Sequence, residues 1–438
     1  MGTQTSVQGQ GLRTIQVEEK LPFLETLPLS LQHLFAMFGA TVLVPFLFKV
    51  DPSVALLMNG VGTLIYLVVA KGRIPAYLGS SFAFIGPVFA VMALIPGKSG
   101  YAAAQGGFIC FGLFFILVSL VVQQVGTRWL EVAFPPAAMG AVVAVIGLEL
   151  APTAAQMAGL VQGPATSPMA HGTSVLVALS TLAVVILMSL FARGFFSIIP
   201  ILIGVIFGYI LSLALGVVDL KAIAAAPWFA LPTFTAPTFN LQAIMMIAPA
   251  FLVVLAEHIG HLVVTGNIVG SDLMKNPGLH RSLLGDGLSN VLSGLTGATP
   301  NTTYGENIGV MAITRVFSVW VIGGAACIAV IISFVGKIGA AIRSIPVPVM
   351  GGVCLLLFGV IAAAGIRMIL EKKVDYGKPA NLILTAVTFV VGVSGAKITV
   401  GTVEFKGMAL ASIVAILLGL LVWVADRVSG VQSQPQAD

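Results

Sequence analysis

Thr299-Pro300-Asn301-Thr302-Thr303-Tyr304 runs straight into an apolar stretch, residues 305–314, that is too short to cross a bilayer. A spanning helix needs about 20 residues. The same arrangement stands earlier in the chain, where Leu78-Gly79-Ser80-Ser81-Phe82 leads into a short apolar run at 84–96. The two interruptions, centred on Phe82 and Tyr304, are 222 residues apart, close to half of the 438-residue chain. A second matched pair keeps nearly the same period. Phe134-Pro135-Pro136-Ala137-Ala138-Met139-Gly140 answers to Ile345-Pro346-Val347-Pro348-Val349-Met350-Gly351, with the Met-Gly pairs 211 residues apart. The chain reads as two copies of one unit.

Composition fixes the solvent around that unit. Hydrophobic residues make up 58% and charged residues 8%, with a mean hydropathy of +1.07. Soluble domains carry about 25% charged residues, so lipid is the medium that fits. The 49 glycines and 23 prolines agree, because neighbouring helices can satisfy the backbone groups that such residues free. Cys110, Cys327 and Cys354 all lie inside apolar runs, which predicts small core residues and no disulfide framework or metal cluster. The net charge of +5 comes from basic residues scattered singly between apolar runs, which argues against nucleic acid as a partner.

Apolar segments fall near 27–48, 53–70, 84–96, 103–124, 134–150, 173–192 and 196–216. After a polar, proline-marked gap they resume near 241–258, 282–296, 305–314, 317–336, 345–365, 380–396 and 407–425. Residues 1–26 are polar and read as a cytoplasmic tail without a cleavable signal, and 428–438 as a second tail. With the N-terminus inside, seven of the 21 Lys and Arg residues fall outside: Lys49, Lys98, Lys221, Lys337, Arg343, Lys397 and Lys406. The positive-inside rule thus favours fourteen spans with both termini cytoplasmic. Seven is odd, so the second copy enters from the opposite side. The expected fold is an all-α polytopic membrane protein, a 7+7 inverted repeat with short extended strands before the half-helices of segments 3 and 10. Inverted repeats with matched interrupted segments are a mark of secondary transporters, whose site lies at the interruptions.

Extended backbone at membrane depth must face protein or a cavity, because each unpaired group costs several kcal/mol in lipid. The two polar stretches are placed to pair antiparallel, with the helix after each aiming free N–H groups at the centre. Glu306 opens the second half-helix, and Glu257 sits near the end of the eighth segment in Leu255-Ala256-Glu257-His258-Ile259-Gly260-His261. Carboxylates inside a membrane are costly and mark function. Glu257 and His261 are i,i+4 and share a helix face, so they form either a proton store or a carboxyl–imidazole bond that only ties helices together. His258 points about 100° away and suits helix tethering. Glu257, His258 and His261 do not have the HExxH spacing of a metal site, and neither a metal nor an enzymatic activity is expected. Gln32 and His33 suit core hydrogen bonding or support of the site. Asp286 suits a helix end, and Arg315 complements the dipole at the end of the short helix.

Residues 306–315, Glu-Asn-Ile-Gly-Val-Met-Ala-Ile-Thr-Arg, resemble the signature of the nucleobase–ascorbate transporter family. That signature is Gln, Glu or Pro, then Asn-x-Gly, four residues, Thr, and Arg, Lys or Gly. The stretch 257–265, the Gln32-His33 pair and Ala76-Tyr77-Leu78-Gly79-Ser80-Ser81-Phe82-Ala83-Phe84 are similar to the bacterial uracil permease branch, and the likeness covers about residues 27–427. The resemblance implies a core domain (27–126 and 241–337) and a gate domain (127–240 and 338–427), uracil–proton symport and a homodimer surrounded by lipid. It places substrate contacts on Glu257, Glu306, Gly305, Tyr304, Phe82 and Ala40, and His261 in proton coupling with Glu257. The implied coupling ion is H+, with no cofactor. Glu at the first motif position resembles uracil carriers, whereas xanthine and urate carriers resemble one another in having Gln. The chain departs from the pattern at Phe358, where the resemblance implies an aromatic hydroxyl after the Gly-Gly of segment 12. Alternatives are a xanthine or purine symporter and an anion transporter of similar architecture, the latter disfavoured by two acidic groups.

Overall fold

The computed structural model describes residues 13–127, 129–130, 134–401 and 403–428. Arg128, which the topology count places inside, and nearly all of the 428–438 tail lie outside the described residues.

Each apolar segment contains a helix. The first is divided, with α1 (Phe23–Ala36) and α2 (Phe38–Phe48) meeting at Met37 at a bend of 41°. There follow α3 (Pro52–Val69), strand β1 (Leu78–Ser80), a 3₁₀ turn at Phe82–Phe84, α4 (Ile85–Leu94) and α5 (Lys98–Val125). Next come α6 (Pro136–Met157), α7 (His171–Phe191), α8 (Pro200–Ala214) and a short α9 (Lys221–Ala225). The second half holds α10 (Leu241–Val269), α11 (Leu279–Thr296), β2 (Asn301–Thr303), α12 (Gly305–Thr314) and α13 (Val319–Ser333). It closes with a short α14 (Gly336–Arg343), α15 (Val347–Glu371), α16 (Pro379–Val393), the hairpin β3 (Lys397–Val400)–β4 (Val403–Lys406) and α17 (Gly407–Val428). Several starts are written in sequence. Pro52, Pro136, Pro200 and Pro379 open helices where the missing N–H costs nothing, and Asp51 caps α3 by accepting from Ser53 N–H at 3.0 Å.

Among the described residues, seven helices are long and apolar enough to cross a membrane alone: α3, α5, α6, α7, α10, α15 and α17. The bent α1–α2 pair makes an eighth.

The helices pack in two clusters. One joins α5 to α11 and α10, and α3 to α11 and α13, with α1 on α13. The other joins α6 to α15, α16 and α17, α7 to α15 and α8, and α16 to α17. These contacts come in exchange pairs: swapping each segment for the one seven further on turns α5–α11 into α13–α3, α1–α13 into α10–α5, and α7–α8 into α16–α17. Glycine lets the tightest crossings form. A Cβ at Gly112 would lie 2.6 Å from the Gly287 carbonyl oxygen, and one at Gly287 would lie 2.8 Å from that of Gly112. Small residues facing one another are how helices approach in lipid, where no hydrophobic force draws them together.

Three expectations need correction. α10 continues to Val269, so Glu257 lies inside a long helix and not near its end. The polar run His258–His261 lowers the local hydropathy, yet both imidazoles find partners within the protein, His258 Nε2 on Ser282 and His261 Nδ1 on Thr303. Asp286 lies within α11 and not at a helix end, and it bonds sideways to α10. Residues 15–19 of the predicted tail are held on the loop after α12.

Candidate functional site

The two interruptions meet. β1 and β2 pair antiparallel, with Leu78 opposite Thr303, Gly79 opposite Thr302 and Ser80 opposite Asn301. The pairing is extended by Tyr304 N–H to Tyr77 O at 3.0 Å and Ser81 N–H to Pro300 O at 2.8 Å. Each strand thereby fills the backbone groups that the other leaves open, which is what makes extended chain tolerable in a membrane protein's interior. Gly79 is required at this crossing. A Cβ there would stand 2.2 Å from Tyr304 Cζ, so the tyrosine ring occupies the space a side chain would need. The Tyr304 hydroxyl donates to Ser80 O at 3.2 Å and lies beside Thr41, next in the chain to Ala40. Ala40 and Tyr304 are buried, while Phe82, at the start of the 3₁₀ turn, is half-buried.

α10 crosses this junction and packs against the Phe82–Phe84 turn, α4, β2 and α12. It brings Glu257 and His261 to the place where α12 begins. Glu257 is half-buried and within electrostatic reach of the Glu306 carboxylate, then of Asp286. Glu306 sits in the first turn of α12, whose leading N–H groups have no partner within the helix. His261 turns to β2: its Nδ1 is 3.0 Å from Thr303 Oγ1. Its Nε2 is 3.2 Å from the point where a Gly305 Cβ would lie. The structure thus gathers Glu257, Glu306, Gly305, Tyr304 and His261 around the strand crossing, with Phe82 and Ala40 on its borders. The imidazole bond is made to Thr303 and not to Glu257, which corrects the helix-face pairing. A helix start offering N–H donors beside two carboxylates can hold a small neutral ring that carries both N–H and C=O groups.

His258 lies behind the site, fully buried. Its Nδ1 is 3.0 Å from Asp286 Oδ2, and its Nε2 is 2.7 Å from Ser282 Oγ, which meets Tyr66 Oη at 2.6 Å. Asn290 donates to Asp286 Oδ1 at 2.9 Å and to Asn301 O at 3.0 Å, and accepts from Asn301 N–H at 2.6 Å. This polar chain leads from α3 through α11 and α10 to β2, so His258 tethers helices, as its direction predicts. His33 is also tied in, with Asn307 Nδ2 3.0 Å from its Nδ1. Thr303, Asn307, Asn290 and Ser80 were missed as contributors. The available signal was a polar side chain within or beside an apolar run, and it does not say which neighbour satisfies it.

A model described as the Permease family matches residues 24–401. The chain belongs to this family. It is 61% identical to the uracil permease of Escherichia coli (strain K12), over 93% of this chain and 94% of the relative. It is 59% identical to the uracil permease of Paenibacillus larvae subsp. larvae (strain NRRL B-3650 / LMG 16245), over 95% and 98%. The structure is similar to the murine Solute Carrier 26 family member A9 anion transporter, with a TM-score of 0.68. That match has 12% identity and covers 93% of this chain and 69% of that one, which shows the fold alone. The protein is a multi-pass membrane permease of the nucleobase–ascorbate transporter family, in its uracil permease branch, and not an enzyme. The permease places the signature, Glu306–Arg315, on α12 and the loop residue that ends it.

Proposed function

We propose that this permease imports uracil across the cytoplasmic membrane by proton symport. The observation that carries the proposal is the meeting of Glu257, on α10, with Glu306, at the start of α12, beside the β1–β2 crossing, in a chain so similar to uracil permeases. Uracil offers two N–H donors and two carbonyl acceptors. The carboxylates accept from its N–H groups, and the free N–H groups of a broken helix donate to its carbonyls. Tyr304, Phe82, Gly305 and Ala40 border the ring. A site that demands these bonds rejects analogues that leave its buried groups unpaired. Two carboxylates within reach repel when both are charged, so a proton arriving with the substrate relieves the pair. Glu257 is the coupling group, supported by His261, and Glu306 is the substrate anchor. One co-transported proton adds about 2.3 kcal/mol per 100 mV of membrane potential.

Alternating access is assigned to movement between a core (27–126 and 241–337) and a gate (127–240 and 338–427), a division supported by the two packing clusters. The exchange-paired contacts support a seven-plus-seven inverted repeat of fourteen spans, with both termini cytoplasmic, and the unit is read as a homodimer in lipid. Labelled uracil and an imposed pH gradient test the function in proteoliposomes. Accumulation that excess uracil suppresses and excess xanthine does not supports it. Accumulation of labelled xanthine without accumulation of labelled uracil assigns the permease to purines instead.

A further inference from the structure

The segment before α1 is built into the substrate-side framework. Ile15 N–H donates to Arg315 O at 2.9 Å, Phe317 N–H to Ile15 O at 2.9 Å and Val319 N–H to Val17 O at 2.9 Å, a short parallel ladder. Ser318 Oγ donates to Glu19 O at 2.6 Å. The side chains repeat the attachment. Ile15 is buried with Val316 and Val321, and Val17 packs on a cluster of Ile308, Met311 and Phe317 that also takes in Val264 and Ile268 of α10. Charges fix the flanks: Arg13 pairs with Glu19, Glu18 lies 3.7 Å from Arg73, and Lys20 Nζ lies 4.0 Å over the Trp320 ring. Arg315, the residue that ends α12, has a left-handed backbone with φ of 57°, a conformation disfavoured for a side chain with a Cβ. The bond from Ile15 to its carbonyl is one of the contacts that hold it there.

We propose that residues 15–19 are positioning residues for transport: a strap that fixes the cytoplasmic end of α12 against α10, and so sets the position of Glu306 relative to Glu257. None of them touches the site. Their effect passes along α12, ten residues long, whose Ile308 and Met311 rest on Val17. Because its ladder and its Ser318 bond run to the loop between α12 and α13, its Glu18 faces Arg73 after α3, and Val17 packs on the cluster shared by α10 and α12, the strap travels with that body and tunes affinity, not turnover. The readout in substrate terms rests on the uracil reading above.

The test uses the full chain with Ile15→Pro, which removes the donor to Arg315 O, and Val17→Ala, with Val17→Ile as the conservative rescue and Glu25→Gln, exposed on the first turn of α1, as a surface control. In proteoliposomes, Ile15→Pro and Val17→Ala should raise the KM for uracil about tenfold with maximal rate little changed, and Val17→Ile and Glu25→Gln should match the parent. Independently of any substrate, amide hydrogen exchange across 306–314 should speed up in Ile15→Pro and Val17→Ala while exchange in α15 stays as it was. An unchanged KM overturns the proposal whether or not exchange speeds up, and so does a fall in maximal rate at constant KM. If the parent carries no uracil, the functional reading fails and the exchange arm alone decides: unchanged protection of α12 overturns the strap, and its selective loss upholds it.

Discussion

At the residue scale the two glutamates carry different loads. Glu257 stands on an uninterrupted helix, where its charge can change without disturbing backbone, whereas Glu306 stands in the first turn of α12, beside unpaired N–H groups. Glu257→Gln keeps the shape and removes the titratable proton. We expect it to abolish uracil accumulation driven by a proton gradient. Glu306→Gln should mainly weaken binding, by at least tenfold, measured by equilibrium binding of labelled uracil. Normal transport by both variants would contradict the site assignment. His258 is a different kind of residue. It is fully buried with its Nδ1 3.0 Å from an equally buried Asp286, so His258→Ala removes that neighbour, leaving Asp286 with the Asn290 bond and Ser282 with Tyr66. Leaving buried polar groups short of a partner costs about 1–3 kcal/mol, which should appear as a drop in thermal unfolding temperature in detergent. A variant as stable as the parent would show that the tether bears no load. Glu257 and Glu306 could be found in sequence because a carboxylate in an apolar run is conspicuous. The partner of His261 could not, since Thr303 is 42 positions away and only the fold brings it near.

At the element scale the crossing of β1 and β2 is the joint on which the site is built. Its existence was legible, because polar extended residues at half-chain spacing have few other uses at membrane depth. The tight fit at Gly79 was not. With Tyr304 filling the space of a side chain, Gly79→Ala must push the ring away or part the strands. Uracil binding should fall by at least tenfold while membrane insertion, followed by expression level and gel filtration, persists. Retained binding would mean that the ring yields freely. The length of α10 was misread for a physical reason. Hydropathy falls over His258–His261, but each imidazole has a hydrogen-bond partner inside the protein, and the helix continues. The short helices α9 and α14, the β3–β4 hairpin and the strap of residues 15–19 had no apolar period to announce them.

At the scale of the whole molecule, the long apolar runs made the helical membrane fold legible, and the repeat spacing pointed to the strand crossing beside which the candidate site lies. Sequence gave less guidance on how helices sort into clusters, since glycine contacts such as Gly112 with Gly287 depend on which helices face each other. Phe358 illustrates the same limit. It is fully buried within the hydrophobic core, so the phenyl ring there fills volume, and the crossing and the two glutamates stand without a hydroxyl from that position. Under the proposed function, the arrangement as a whole moves a proton with its substrate. The most direct test is uracil-dependent proton uptake by the purified permease in liposomes, followed with an internal pH dye and no imposed gradient. Added uracil should acidify the lumen with the parent protein and should not with Glu257→Gln. Uracil entry without acidification by the parent would contradict proton symport through this pair.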